Sequence, residues 1–221
     1  MSKKYKFLES IYYKVSNKDI RILLPEADID DRVFEASVKL TLDNICKVSV
    51  IGDSKSLINK YNKIDKSLIE KIKIFDIESN NQVLIKFANK LYKKRKHKGL
   101  SQEKAYELMH NINYYACMLL DQDQVDGVVT GATFTTREVF KPALQIIGTK
   151  DIYHRISSYF IMNLNETTYF FADCAVNITP DSQTLSEIAI DTALTAKKMN
   201  IEPKVAFLSF STNNSAIFSL I

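Results

Sequence analysis

The 221-residue sequence has no long apolar run and only three cysteines, and each shortage excludes a class of protein. No stretch approaches the roughly 20 apolar residues that a membrane-spanning helix requires. The first residues, MSKKYKFLES, lack the apolar segment of a secretory signal. Cys46, Cys117 and Cys174 are far apart and have no metal-ligand spacing. They predict buried, reduced thiols, no metal site and a cytoplasmic location.

The sequence also lacks an excess of charge of either sign. Its 30 Lys and Arg residues against 26 Asp and Glu residues give a net charge of +4, too balanced to indicate a nucleic-acid partner. Neither a G-x-G-x-x-G nor a G-x-x-x-x-G-K-[ST] sequence occurs, so no nucleotide motif is present. The composition, 46% hydrophobic and 25% charged, is that of a globular protein with a core. We therefore expect small-molecule substrates, with neither nucleic acid nor membrane as a partner.

Short apolar runs alternate with helical patterns through the first 150 residues. The strand-like runs are residues 20–26, 47–53, 71–77 and 126–129. One helix is predicted to end at Gly99, and the next to start at the N-cap Ser101 and carry one apolar face as far as Leu119. Strands that alternate with helices indicate an α/β fold in which a parallel sheet is covered on both faces.

The pattern of apolar and polar residues changes after Gly148. Two apolar runs within 157–176 are separated by NLNETT and predict an antiparallel hairpin. A strong helical pattern follows at 181–200, and 204–210 (KVAFLSF) predicts a buried strand. The predicted organisation is a first α/β domain at 1–150 and the start of a second, incomplete α/β domain at 151–221.

The segment DGVVTGATFTTREVFKPALQII, residues 126–147, places small and hydroxylated residues where a strand meets a helix. Helix N-termini at the carboxyl ends of parallel strands bind anions through free N–H groups. Thr130 and Gly131 would let the backbone approach a ligand, and Thr135 and Thr136 could donate hydroxyl hydrogen bonds. Gly131 equally suits a plain tight turn, and Thr135 with Glu138 has the spacing of a capping box. The spacing alone leaves both interpretations open.

The same segment resembles the phosphate acetyltransferase family, in which the strand reads like D-G-[LV]-V-[ST]-G-A and the helix contains R-P-A-[LV]-Q-I. Further similar segments occur in the family's order along the whole chain: 22–36, 92–99, 169–180 and 187–212. The resemblance implies reversible transfer of an acetyl group between acetyl phosphate and coenzyme A, which are substrates, with no cofactor. It implies a two-domain fold like that of isocitrate and isopropylmalate dehydrogenases. Phosphate butyryltransferases share much of this pattern and stay an alternative.

The resemblance also implies which residues bind substrate. They are Arg95, Thr130, Gly131, Thr135, Thr136, Lys141, Ser209, Ser211 and Thr212. Lys141 stands where the family has arginine, and lysine keeps the charge without the planar fork that binds phosphate with two hydrogen bonds. Arg95 could instead belong to a solvated basic face, and the serine-rich loop could be only a turn. His97, His110 and His154 are expected to be structural or exposed.

The family's D-L-S-R-G motif and following Asp, to which the resemblance assigns oxyanion stabilisation and the base, do not occur in these residues. The sequence therefore looks C-terminally truncated, by a frameshift, an early stop or an edge of the expressed segment. We expect this chain to be weakly active or inactive, or a non-catalytic remnant of the fold. A full-length form is expected to be a homodimer. The catalytic residues are unknown from these 221 positions.

Overall fold

The computed structural model describes residues 6–15, 18–149, 155–164 and 167–208. The chain divides into two compact units, Leu8–Thr149 and a second one formed by Lys150–Ile221 with Met1–Phe7. The predicted domain boundary after residue 150 stays a prediction, and each unit is described by itself. Among the described residues, no helix is both long and apolar enough to cross a membrane.

Nine helices and six strands are assigned within the described ranges. The helices are α1 (Lys6–Val15), α2 (Asp31–Leu42), α3 (Ser54–Asn62), α4 (Leu68–Lys71), α5 (Asn81–Arg95), α6 (Gln102–Met109), α7 (Ile112–Asp121), α8 (Thr136–Ile146) and α9 (Ser182–Lys198). The strands are β1 (Arg21–Leu24), β2 (Lys47–Ile51), β3 (Lys73–Phe75), β4 (Gly127–Val128), β5 (Tyr159–Leu164) and β6 (Thr167–Ala172). Helices α1 and α4 were not predicted from the sequence.

The first unit is built on a four-stranded parallel sheet in the order β3-β2-β1-β4. Successive residues of β1 point to opposite faces: Leu23 packs against apolar side chains of α5 to α8, and Leu24 against those of α2 to α4. Both side chains are buried. Helices therefore cover both faces of the sheet, and the prediction of a parallel α/β fold is confirmed.

Helix ends in this unit follow from local side chains. Asp30, Asp53 and Asn80 each accept a hydrogen bond from a backbone N–H in the first turn of α2, α3 and α5. Helix α5 passes into a short 3₁₀ turn that ends at Gly99, whose φ of 82° lies in the left-handed region. The predicted stop at Gly99 is confirmed, because this position requires a residue that tolerates positive φ.

The prediction of one continuous helix from Ser101 to Leu119 is wrong. The chain forms α6 and α7, and Asn111 lies between them. The side chain of Asn111 accepts hydrogen bonds from the backbone N–H groups of Asn113 and Tyr114, at 3.0 and 3.2 Å. An Asn side chain that caps the next helix competes with continuation of the previous one, which explains the break.

The second unit contains the antiparallel hairpin β5–β6 and helix α9, as the sequence predicted. The predicted buried strand at 204–210 is wrong for the residues that are described there. Residues 204–208 have no regular structure, and Val205, Phe207 and Leu208 are exposed. A strand needs a neighbour for its backbone hydrogen bonds, and none of the described strands pairs with this segment.

The three cysteines are free thiols, as expected, but they are half-buried rather than buried. Burial raises the pKa of the Cys117 thiol to about 12 and also raises that of Cys46. Both side chains are therefore poor nucleophiles at neutral pH, because the thiolate is the reactive form.

A candidate substrate site at the end of the parallel sheet

The candidate site lies where the winding direction of the sheet changes. From β1 the chain moves outward to β2 and β3, and it then returns to place β4 on the other side of β1. In open α/β sheets, ligands bind in the crevice beyond the carboxyl ends of the strands at this change of direction. Here the segment after β1, residues 25–30, and the loop of residues 129–135 after β4 follow the two strands that flank the crevice.

The loop after β4 surrounds the carboxylate of Glu26, whose side chain is 0% exposed. Backbone N–H groups of Gly131, Ala132 and Thr133 donate to it at 2.7, 3.2 and 2.6 Å. The hydroxyl of Thr133 donates at 2.7 Å, and the hydroxyl of Thr130 lies 3.0 Å away. The loop therefore does bind an anion with its backbone, as its composition suggested, but that anion is a side chain of the same chain.

These hydrogen bonds keep Glu26 ionised. Burial alone would raise the pKa of its carboxyl group, but the hydrogen bonds from Thr133, Ala132 and Gly131 outweigh burial and lower the pKa below its usual value. A buried carboxylate with this many donors is electrostatically satisfied. The N–H group of Gly131 and the hydroxyl of Thr130, both expected to meet substrate, are therefore already engaged.

Thr135 is the N-cap of α8 and forms the predicted capping box with Glu138. The Thr135 hydroxyl accepts from the Glu138 N–H at 3.4 Å, and the Glu138 carboxylate accepts from the Thr135 N–H at 2.8 Å. Thr136 and Arg137 follow in the first turn. Within the described ranges, the backbone N–H groups of these two residues have no hydrogen-bond partner, as is usual at a helix start. These two N–H groups at the start of α8 are therefore free to bind an acceptor from outside the helix.

Of the two cations predicted to bind substrate, Lys141 lies on α8, and Arg95 acts electrostatically on Tyr114, which contacts α8. The hydroxyl of Tyr114 donates to the side-chain oxygen of Gln145 on α8 at 2.8 Å. Burial raises the pKa of Tyr114, and the positive charge of Arg95, the last residue of α5, acts in the opposite direction. Lys141 is exposed, four residues before Gln145, and side chains at this spacing share one face of a helix.

The remaining residues considered in the sequence are three hydroxyl residues near the C-terminus and the three histidines. Ser209, Ser211 and Thr212 lie outside the described residues, as does His154. Of the other histidines, His97 is exposed, and His110 pairs with the carboxylate of Glu78 at 2.9 Å. The substrate-binding roles assigned to the nine predicted residues stay predictions.

Comparison with known proteins decides the family. The family model of phosphate acetyl/butaryl transferases matches residues 6–219. The chain belongs to this family. The phosphate acetyltransferase of Bacillus subtilis (strain 168) is 40% identical over 207 residues, which cover 94% of this chain and 63% of that protein. A phosphate acetyltransferase of Staphylococcus aureus (strain MSSA476) is 37% identical over 203 residues, covering 92% of this chain and 61% of the relative.

Solved structures of phosphotransacetylases have the same fold. The EutD phosphotransacetylase from Staphylococcus aureus superimposes with a TM-score of 0.82 at 34% identity, over 97% of this chain and 64% of that one. A phosphotransacetylase from Streptococcus pyogenes gives a TM-score of 0.85 at 34% identity, over 96% and 64%. The phosphate acetyl/butaryl transferase chain described here thus spans a little under two thirds of the length of these relatives.

Sequence reasoning missed the buried carboxylate of Glu26 beneath the loop after β4. Its partners in this phosphate acetyl/butaryl transferase fold are 104 to 107 residues further along the chain, so no local spacing connects them. One signal was available: a glutamate follows Pro25 directly after a buried apolar strand, where charged side chains are seldom buried unless they have partners. For the loop that supplies those partners, the sequence left anion binding and a plain turn both open.

Proposed function

We propose that this chain serves the reversible transfer of an acetyl group between acetyl phosphate and coenzyme A. The observation that carries the proposal is the position of the loop 130–135 and the start of α8 beside the crevice at the change of winding direction. Membership of the phosphate acetyl/butaryl transferase family supplies the reaction class. The relatives named above are phosphate acetyltransferases, which favours acetyl over butyryl phosphate as the substrate.

In this reaction the sulfur of coenzyme A attacks the carbonyl carbon of acetyl phosphate. A carbon–sulfur bond forms, the carbon–oxygen bond to phosphate breaks, and phosphate leaves with the electron pair. The thiol proton passes to a base, because the thiolate is the nucleophile. The enzyme must therefore hold a dianionic phosphate and assist it as it leaves. These are tasks for N–H donors and cations.

The residues of this chain suit the phosphate end of the reaction. The unpaired N–H groups of Thr136 and Arg137, at the positive end of the α8 dipole, are the donors that we assign to the phosphate oxygens. The Thr136 side chain is exposed beside them and can add a hydroxyl donor. Arg95 and Lys141 supply positive charge from the neighbouring surface. Thr130, Gly131 and Thr135 shape the loop rather than contact the phosphate.

Calorimetric titration of the 221-residue chain tests this proposal. Acetyl phosphate, butyryl phosphate and coenzyme A are each titrated into the chain, with sodium sulfate as a control for non-specific anion binding. We expect acetyl phosphate and coenzyme A to bind, and acetyl phosphate to bind more tightly than butyryl phosphate. Binding no tighter than that of sulfate would refute the proposed role, and preference for butyryl phosphate would reassign the substrate.

A further inference from the structure

The carboxylate of Glu26 takes backbone N–H groups that would otherwise be available to a bound anion. It lies under the loop after β4 and takes the N–H groups of Gly131, Ala132 and Thr133. Each oxygen accepts at least two hydrogen bonds: Oε1 from both groups of Thr133, and Oε2 from the other donors. Only a carboxylate can accept at both oxygens, since an amide has one oxygen and one NH₂ group.

The other side of the loop is held by Arg32. Its guanidinium donates to the carbonyl oxygen of Ala132 at 3.0 Å and pairs with Asp30 at 2.7 Å. The charge of Glu26 also raises the pKa of Arg32, after the larger effects of Asp30. Glu26 and Arg32 both come from the segment between β1 and the first turn of α2. This segment therefore holds the loop at two points: Glu26 accepts hydrogen bonds from its N–H groups, and Arg32 donates to the carbonyl oxygen of Ala132.

Asn113 extends this arrangement to α7. Its side chain is 2% exposed, and its Oδ1 lies 3.2 Å from the hydroxyl of Thr130, which is also 3.0 Å from Glu26. One hydroxyl hydrogen serves only one of these two acceptors, while the Asn113 Nδ2 is buried without a partner in the described ranges. The arrangement that satisfies all three groups has the Asn113 nitrogen facing Thr130, whose hydroxyl then donates to Glu26.

We propose that Glu26 is a positioning residue. Its carboxylate holds the loop of residues 130–133 and withholds the loop N–H groups from anions, so that phosphate is directed to the first turn of α8. This inference deepens the proposed function and rests on it for the identity of the anion. The role in holding the loop depends only on the contacts described above. A fixed negative charge under the loop also repels a second anion at that position.

The test compares Glu26→Gln with the wild-type chain by NMR of ¹⁵N-labelled protein. Glu35→Gln, an exposed position on α2, is the matched control. In the wild type, the amide protons of Gly131, Ala132 and Thr133 should titrate together with Glu26, below the usual pH range of a glutamate; Arg32 and Asp30 are the other charged groups nearby. In Glu26→Gln this titration should disappear, and the amides should exchange with solvent about tenfold faster or more. Unchanged exchange and titration would overturn the inference.

A second pair of variants keeps the inference testable if Glu26→Gln does not fold. Thr133→Val removes one hydroxyl donor to Glu26, and Thr133→Ser retains it. We expect the Glu26 carboxyl group to titrate at higher pH in Thr133→Val and as in the wild type in Thr133→Ser. Equal titration in both variants would contradict the role of these hydrogen bonds.

Inorganic phosphate, added to the same samples, separates this inference from the proposed function. In the wild type it should shift the amide resonances of Thr136 and Arg137 but not those of residues 131–133. In Glu26→Gln the loop resonances should shift as well. Phosphate that shifts none of them in either protein refutes the phosphate site. Phosphate that shifts residues 131–133 in the wild type refutes the exclusion by Glu26.

Discussion

The N–H group of Gly131 donates a 2.7 Å hydrogen bond to Glu26, 105 residues earlier in the chain. This contact joins the two segments that flank the crevice of the sheet. A backbone N–H group in a loop is otherwise free to bind a ligand or water. Because Glu26 takes it, this N–H group is not available to a bound anion. The phosphate donors that we propose are therefore the N–H groups of Thr136 and Arg137, at the start of α8, rather than those of the threonine-rich loop before it.

Replacement of Gly52 by alanine should destabilise the first unit. A Cβ atom at this position would lie 2.5 Å from the Cβ of Asp28, and Asp28 is held in place by the N–H of Asp53 at 3.1 Å. Overpacking of this kind costs about 1–3 kcal/mol. Urea denaturation measures the loss. Gly99→Asn is the control, because nothing lies within 4 Å of that position and Asn tolerates positive φ. A loss for Gly52→Ala no larger than that of the control would contradict the close approach.

Asp126 should be ionised to unusually low pH because of Arg21. The guanidinium of Arg21 contacts the Asp126 carboxylate at 2.6 Å and lowers the pKa of Asp126 to about 2. A folded-state pKa below the unfolded value contributes stability above about pH 4 that is lost as the pH falls towards 2. Arg21→Gln should therefore raise the pKa of Asp126 towards its ordinary value, as followed by carboxyl ¹³C NMR.

The pair of Arg32 and Asp30 provides an internal control for that titration. Hydrogen bonds from Arg32 likewise lower the pKa of Asp30 to about 2. Arg32→Gln should raise the pKa of Asp30 and leave that of Asp126 unchanged. Arg21→Gln should raise the pKa of Asp126 and leave that of Asp30 unchanged. A common shift of both aspartates in either variant would mean that net charge, rather than the individual contact, sets these values.

Replacement of Lys141 by arginine should strengthen the binding of acetyl phosphate. A planar guanidinium can donate two parallel hydrogen bonds to a phosphate, and lysine acts as a point charge. The expected gain is about 1 kcal/mol, roughly fivefold in affinity. Calorimetry on Lys141→Arg and on the control Lys39→Arg, at an exposed position of α2, measures it. Unchanged or weaker affinity in Lys141→Arg would show that Lys141 does not occupy the arginine's role.

A polypeptide of only these 221 residues should form acetyl-CoA far more slowly than the relative from Bacillus subtilis. The sequence contains no D-L-S-R-G motif, to which family resemblance assigns the oxyanion donor and the base. A positioned base contributes about 10²–10⁴-fold, and an oxyanion donor about 10²–10³-fold. A coupled assay at matched protein concentrations compares the two proteins. Turnover by the 221-residue polypeptide within tenfold of the relative would overturn this assignment.

Local patterns predicted the elements that depend on neighbouring residues. Two such features were predicted correctly: the capping box of Thr135 and Glu138, and the helix stop at Gly99. Each depends on residues that are only three or four positions apart in the sequence. The break at Asn111 was missed because Asn also occurs within helices and its capping role depends on how it packs. The exposed segment 204–208 was predicted as a strand from its apolar residues, although a strand also requires a partner.

The site was only partly predictable for a related reason. Sequence patterns left anion binding and a plain turn both open for residues 130–136, and they gave no link between this segment and Glu26. Glu26 and Asn113 meet this segment only after β1, α7 and β4 are assembled. Contacts that span about 100 residues leave no periodic trace in one sequence. Their discovery therefore required the folded structure.

The central claim is that phosphate binds at the first turn of α8 in the course of acetyl transfer. The most direct measurement is a ¹H–¹⁵N NMR titration of the 221-residue chain with acetyl phosphate. We predict saturable shifts of the amide resonances of Thr136 and Arg137, with none at the end of α2 near Leu42. Saturable binding that leaves the first turn of α8 unperturbed would contradict the account.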